Sequence, residues 1–191
     1  MYFRNPIPNS LPRERLLDAA ERAVLETGAG HLTLDAVAKF AGVSKGGLLH
    51  HFPSKDALLE AMLERYLKDI ETQVAERCAG RGGTLTAIEQ FRERVRVLLE
   101  QHPERRAAGA ALIAASADKP DLMAHCRAEY REVLDELAAL PGGFERSALV
   151  LLAVDGLLLG ELLRLSPYTP EERSRLVKAL LKAVDQCGRI Q

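Results

Sequence analysis

Apolar side chains recur at every fourth position from Leu58 to Val74, with Met62, Tyr66 and Ile70 between them. Residues four apart lie on one face of an α-helix, so this spacing predicts a single long helix. Shorter blocks with helical apolar spacing fill most of the remaining chain, and the β-branched, turn-punctuated runs typical of sheets are missing. The sequence therefore predicts an all-α fold.

Helix-breaking residues divide the chain into about nine helical blocks. Gly or Pro follows most blocks, and Ser or Thr precedes several of them, which places their ends. The predicted helices span about residues 13–27, 34 to 40 or 41, 45–51, 55–79, 84–101, 104–117, 121–140, 144–165 and 170–187. Residues 1–12 contain three prolines and are predicted to form an irregular arm.

The second and third predicted helices are short and are joined by the sequence AGVS. Thr33 and Ser44 stand where N-caps are expected, and Gly42 can adopt the positive φ that a tight turn requires. This pattern predicts a helix-turn-helix, in which a turn containing Gly holds the second helix across the first. The residues expected to face inward are Val43, Leu48 and Phe52.

That packing leaves Lys45, Gly46, Gly47, Leu49 and His50 pointing away from the core. In helix-turn-helix proteins this edge of the second helix enters the major groove and meets base edges. Each glycine costs roughly 1 kcal/mol of helix stability relative to Ala, so two adjacent glycines in one short helix require an explanation. Either the small residues allow close approach to DNA, or they relieve crowding against the first helix.

Charge and cysteine content indicate which partners, cross-links and cellular location to expect. The net charge is −1, but residues 31–55 hold three Lys against one Asp, a mild positive bias compatible with a phosphate partner. The three cysteines are far apart and form no C-x-x-C, so we expect neither a disulfide framework nor a zinc site. With no signal-peptide pattern at the N-terminus, a cytoplasmic location is expected.

The most apolar stretch, residues 147–165, approaches the length of a membrane span. Asp155, Glu161 and Arg164 interrupt it, so we interpret it as a buried helix and expect no membrane partner.

Residues 16–62 resemble the N-terminal DNA-binding domain of the tetracycline-repressor (TetR) family of bacterial transcription regulators. The match lies in the order and spacing of an Ala-rich first helix, a Gly stop, Thr33, the AGVS turn, HF and SKDAL. The resemblance implies a helix-turn-helix DNA-binding domain at residues 13–56. It also implies an effector-binding and dimerisation domain at 57–191, with the helix 57–79 as connector.

The resemblance implies DNA contacts at defined positions. Thr33 and Lys55 match the two phosphate contacts of the family, at the starts of the second and fourth helices. The family usually has Tyr where this chain has Leu49, so a hydroxyl contact is absent, and Leu49 either touches a thymine methyl or shields the backbone. The full predicted DNA-binding set is Thr33, Ser44, Lys45, Gly46, Gly47, Leu49, His50 and Lys55.

The resemblance also implies a homodimer on a palindromic DNA operator, usually as a repressor, and a pocket for a small-molecule effector without metal or cofactor. The eighth predicted helix is apolar over a wide arc, which independently predicts partners inside the subunit and across a two-fold axis. Asp155 within it either orients a ligand or makes a buried hydrogen bond or interface salt bridge. The candidate pocket residues are Arg92, Arg96, Met123, Cys126, Tyr130 and Asp155.

Two other classes of protein are alternatives to a regulator. An enzyme is disfavoured because the sequence contains no nucleophile elbow, phosphate-binding Gly loop, H-E-x-x-H or paired E-x-x-H. The remaining alternative is a helical small-molecule or lipid-binding protein, or an adaptor, in which the helix-turn-helix is only structural.

Overall fold

The computed structural model describes residues 12–82, 85–163 and 165–188, and within these ranges the chain forms nine α-helices and no strand. The all-α prediction is confirmed. A single 3-10 turn at Ala29–His31, which the sequence pattern did not predict, precedes the second helix. The helices are α1 Pro12–Thr27, α2 Leu34–Ala41, α3 Lys45–His51, α4 Lys55–Ala79, α5 Ala87–Glu100, α6 Pro103–Ser116, α7 Leu122–Ala138, α8 Gly143–Leu162 and α9 Pro170–Cys187.

Local capping explains where the short helices begin and end. The Thr33 side chain accepts a hydrogen bond from the Ala36 amide at 3.1 Å, and the Ser44 side chain accepts one from the Gly47 amide at 3.1 Å. Each satisfies one of the first-turn amides that have no partner within the helix. Gly42 ends α2 with φ of 69°, a conformation that a residue with a Cβ rarely adopts. The caps inferred from the sequence are confirmed.

Several predicted helix ends differ from the structure by a few residues. Of the irregular arm predicted for 1–12, residues 1–11 lie outside the described ranges, and Pro12 is already the first residue of α1. Helix α5 begins at Ala87 rather than 84, because Thr86 and Glu89 form a reciprocal capping box. The helices predicted at 121–140 and 144–165 are shorter, at Leu122–Ala138 and Gly143–Leu162.

Two compact units make up the chain: residues 1–66 with 104–123, and residues 67–103 with 124–191. The first unit contains α1 to α3, the first half of α4 and nearly all of α6. The second contains the rest of α4 with α5, α8, α9 and most of α7. The boundary predicted between residues 56 and 57 stays a prediction.

Each unit has its own buried apolar cluster. In the first, Leu17 of α1, Leu48 of α3 and Leu58 of α4 are at most 1% exposed. This burial holds α3 against its neighbours. In the second unit, α5, α7, α8 and α9 contribute Phe91, Val95, Leu99, Leu137, Val150, Leu151, Val154, Leu157, Leu181, Val184 and Cys187. None of the helices in the described ranges has the length and hydropathy needed to cross a membrane.

One of the three residues predicted to face inward does not. Leu48 and Phe52 are 0% and 1% exposed, as expected, but Val43 is 42% exposed. The reason is that the left-handed Gly42 turns the chain, so that the Val43 amide, rather than its side chain, is held by the Ala38 carbonyl at 3.0 Å. The side chain instead lines an open groove of about 260 Å³ between α1 and α3.

Candidate nucleic-acid interface

The start of α2 presents a hydroxyl and backbone amides to solvent. Thr33 is exposed, with extended backbone dihedrals, and its oxygen accepts the Ala36 N–H described above. Accepting that bond leaves the hydroxyl proton of Thr33 free to be donated. A donor beside a helix N-terminus suits an anion such as a phosphate.

The first turn of α3 presents a surface of small and basic residues. Ser44, Lys45, Gly46, Gly47 and His50 are all exposed, whereas Leu49 is half-buried. Leu48, by contrast, is fully buried in the same seven-residue helix. The residues of α3 and its N-cap that are predicted to contact DNA are thus accessible to solvent, with Leu49 partly covered.

The two glycines of α3 are not required by packing within the protein. A Cβ added at Gly46 would meet only the Ser44 Oγ, 4.0 Å away, and one added at Gly47 would meet the same atom at 3.4 Å. No atom of α1 lies within 4 Å of either position. Relief of crowding against the first helix, one of the two explanations left open by the sequence, is therefore wrong.

Lys45 has an acidic neighbour that sequence reasoning missed. Its Nζ lies 2.9 Å from Asp35 Oδ2 on α2, and the two side chains are 54% and 68% exposed. Exposed pairs of this kind contribute at most about 1 kcal/mol, so a phosphate can compete for the ammonium. Asp35 is ten residues away in sequence, and only the crossing of α2 and α3 brings the two groups together.

Helix α4, which carries Lys55 in its first turn, is ion-paired with α1 through the half-buried Arg65. The Arg65 side chain is 11% exposed and lies 2.8 Å from Asp18 and 2.6 Å from Glu21, with Glu14 at 3.5 Å. Burial alone would lower the pKa of Arg65, but the carboxylates of Glu21 and Asp18 outweigh it and raise the pKa. The three acids line one face of α1, a signal that the sequence contained.

Among the candidate pocket residues, the structure brings Tyr130 and Asp155 together. The Tyr130 hydroxyl donates to Asp155 Oδ2 at 2.7 Å, which joins α7 to α8. Burial raises the pKa of Asp155, and the Tyr130 hydrogen bond opposes part of that rise. Burial and the neighbouring carboxylate also raise the pKa of Tyr130. The sequence analysis offered a buried hydrogen bond as one role for Asp155; the hydrogen bond to Tyr130 is present, but it is exposed and Asp155 is only half-buried.

The other pocket candidates have different surroundings. Arg92 is ion-paired with Asp185 of α9, and Arg96 lies 3.1 Å from Glu93. Met123 and Cys126 are half-buried on α7, and burial raises the pKa of the Cys126 thiol. Whether any of the six contacts an effector stays a prediction.

Helix α8 has an exposed apolar side as well as a buried one. The exposed fractions of Leu149, Leu152, Leu159 and Leu163 lie between 53% and 65%. Their spacing of three, seven and four residues places them on one side of the helix. A contiguous exposed leucine stripe marks an interaction surface.

Comparisons with known proteins match both parts of the chain. Residues 16–62 match the family described as "Bacterial regulatory proteins, tetR family". Residues 89–185, about half of the chain, match "Tetracyclin repressor-like, C-terminal domain".

Among curated relatives, the HTH-type transcriptional regulator BetI 2 of Chromohalobacter salexigens is 40% identical over 65 residues, 34% of this chain and 31% of that protein. BetI 1 of the same organism is 32% identical over 93 residues, 49% of this chain and 43% of that protein. The chain thus matches less than half the length of either relative.

Solved structures extend the likeness over nearly the whole chain. A transcriptional regulator from Rhodococcus sp. Rha1 has a TM-score of 0.70 at 25% identity, covering 94% of this chain and 99% of that one. The multidrug binding protein EbrR, crystallised with ethidium, has a TM-score of 0.66 at 23% identity, covering 91% and 98%. The second comparison supports the fold alone.

Proposed function

The chain belongs to the TetR family of bacterial transcriptional regulators, and on this basis we propose that it binds an operator in double-stranded DNA as a homodimer. It represses transcription there and is released when a small-molecule effector binds. Regulators of this family bind DNA and small molecules and are not enzymes. Because its target is genomic DNA, the protein works in the bacterial cytoplasm.

One observation carries the proposal: the glycines of α3 are exposed, and among the described residues a Cβ added at either would meet only the Ser44 Oγ. Alanine at either position would make the helix more stable, so stability alone does not explain the glycines. Side chains as small as hydrogen allow the helix backbone to lie against base edges and phosphates. Lys45, Ser44 and His50 flank the glycines, and Thr33 and Lys55 supply phosphate contacts at the starts of α2 and α4.

Two observations support the dimer and the effector. The exposed leucine stripe of α8 offers a self-complementary surface to a second copy related by a two-fold axis. The C-terminal family match covers residues 89–185, from α5 to most of α9, and we place the effector pocket within it. Within it the Tyr130–Asp155 pair is the polar contact we propose for effector recognition, with Arg92, Arg96, Met123 and Cys126 as further candidates.

The direct test is charge reversal of the proposed phosphate contacts. Lys45→Glu and Lys55→Glu should each weaken binding to genomic fragments recovered with the protein by at least about tenfold, because each replaces an attraction to phosphate by a repulsion. Binding should be measured by fluorescence anisotropy at several salt concentrations, and folding by circular dichroism.

Lys68→Glu provides the matched control, since Lys68 is an exposed lysine farther along α4 that is outside the proposed contacts. It should bind nearly as the unaltered protein does. If Lys45→Glu and Lys55→Glu both fold and still bind DNA normally, the helix-turn-helix is structural. The chain is then better described as a helical small-molecule-binding or adaptor protein.

A further inference from the structure

The loop that follows α6 reaches back to the first turn of α4. Lys119, in this loop, forms an ion pair with Asp56, 63 residues earlier in the chain. The Lys119 side chain is 28% exposed and that of Asp56 is 58% exposed, so the pair lies at the surface of the first compact unit. Asp56 is the immediate neighbour of Lys55, the proposed phosphate contact.

The position of this loop is fixed by packing and by backbone hydrogen bonds. Helix α6 lies so close to α4 that a Cβ on Gly109 would come within 2.2 Å of the Tyr66 ring. At the end of α6, the Lys119 amide donates to the Ser116 carbonyl at 2.9 Å, and the Lys119 carbonyl accepts from the Met123 amide at 3.2 Å. The backbone of Lys119 is therefore held on both sides.

The loop as a whole is not basic. Residues 117–121 contain Lys119 together with Asp118 and Asp121, so its net charge is negative. The relevant feature is that Lys119, the one basic residue of this loop, is paired with Asp56. An uncompensated carboxylate in the same helical turn as Lys55 would repel the DNA phosphate that Lys55 attracts.

We propose that Lys119 is a working part of the DNA-reading surface, acting as a positioning residue that neutralises Asp56 and so preserves the phosphate contact of Lys55. The inference rests on the proposed DNA-binding function. It assigns Lys119 to the DNA-binding domain, whereas the predicted domain boundary places this residue in the effector domain. The compact unit formed by residues 1–66 and 104–123 agrees with this assignment.

The test uses the full chain and a mixed-sequence DNA duplex of about 30 base pairs at low salt, because a charge effect on phosphate is independent of sequence. Lys119→Ala should raise the dissociation constant about three- to tenfold. It should also reduce the dependence of the logarithm of affinity on the logarithm of salt concentration by up to about 1. Lys68→Ala removes the same charge elsewhere on the protein and should leave both quantities nearly unchanged.

Asp56→Asn separates this role from a merely structural ion pair. If Lys119 acts by neutralising Asp56, then Asp56→Asn should bind DNA as tightly as the unaltered protein or more tightly, and adding Lys119→Ala should change affinity less than twofold. If the pair only holds the fold, Asp56→Asn should weaken binding and lower the urea midpoint as much as Lys119→Ala does, which would overturn the inference. An unaltered protein that binds no duplex would instead overturn the proposed function itself.

Discussion

At the scale of single residues, the stability of the fold and the proposed DNA contact make opposite demands at Gly46. It lies in the first turn of α3, is exposed, and has nothing nearer than 4.0 Å to the position of an added Cβ. Gly46→Ala should therefore raise the free energy of unfolding by about 0.5–1 kcal/mol through helix propensity. The same methyl group should weaken operator binding by about tenfold, because it holds the helix away from the base edges.

Urea unfolding and DNA titration of the same preparation check both halves of this prediction. A variant that is more stable and binds less tightly cannot owe its weaker binding to partial unfolding. Unchanged or tighter binding by Gly46→Ala would count against close approach of α3 to DNA.

At the scale of elements, the Tyr130–Asp155 hydrogen bond joins α7 and α8 and makes their packing depend on pH. Burial raises the pKa of Asp155 above its ordinary value of 3.8, so the folded state disfavours the ionised carboxylate. The stabilisation contributed by the protonated form is complete below the unfolded pKa and is lost as pH rises through the folded pKa. Asp155→Asn keeps an acceptor for the Tyr130 hydroxyl but cannot ionise.

The free energy of unfolding of Asp155→Asn relative to the unaltered protein should therefore increase as pH rises from about 4 to 7. Urea denaturation at several pH values measures this difference. Asp135→Asn, which alters an exposed carboxylate on α7 paired with Arg131, should not reproduce the increase. A difference that stays flat or shrinks with rising pH would show that burial does not govern Asp155.

The sequence predicts the features that depend on interactions between residues close together in the chain, and it misses those that depend on contacts between separate elements. Caps such as Thr33 and Ser44 and the Gly42 turn act within four residues, and all three are confirmed. The pairs Lys45–Asp35 and Lys119–Asp56 join separate elements, so no periodicity revealed them. Val43 was misplaced because apolar character predicts burial, whereas here the geometry of the turn decides where the side chain points.

The buried carboxylate of Glu93 likewise depends on contacts between separate elements. It is 3% exposed, yet it lies 2.8 Å from Arg81 and 3.1 Å from Arg96, with Arg77 at 3.9 Å. A charge can be buried when opposite charges surround it. The residues one helical turn from Glu93 on α5 are Glu89, Gln90, Arg96 and Val97, so the sequence pattern predicts a polar, exposed position. Only the fold shows the arginines from α4 and the segment after it.

At the scale of the whole molecule, the proposed function depends on pairing two chains. A half-site read by one short helix offers few contacts, and joining two readers makes the second binding event intramolecular. The leucine stripe of α8 is the surface that we propose for that pairing. Gly156 and Gly160 are on the same helix, and a Cβ at either would meet nothing within 4 Å among the described residues, which leaves space for a partner helix.

Leu152→Glu should convert the dimer to a monomer while leaving the fold intact, because Leu152 is 62% exposed in the single chain and a charge there is unfavourable only against an apolar partner. Sedimentation velocity measures the association state, and affinity for a palindrome with half-sites about one helical turn or a multiple apart should fall by at least about tenfold. Ile113→Glu introduces the same charge at an exposed apolar residue of α6 and should remain dimeric. A Leu152→Glu protein that still sediments as a dimer would place the two-fold interface elsewhere, and an unaltered protein that binds the palindrome as a monomer would contradict the paired reader altogether.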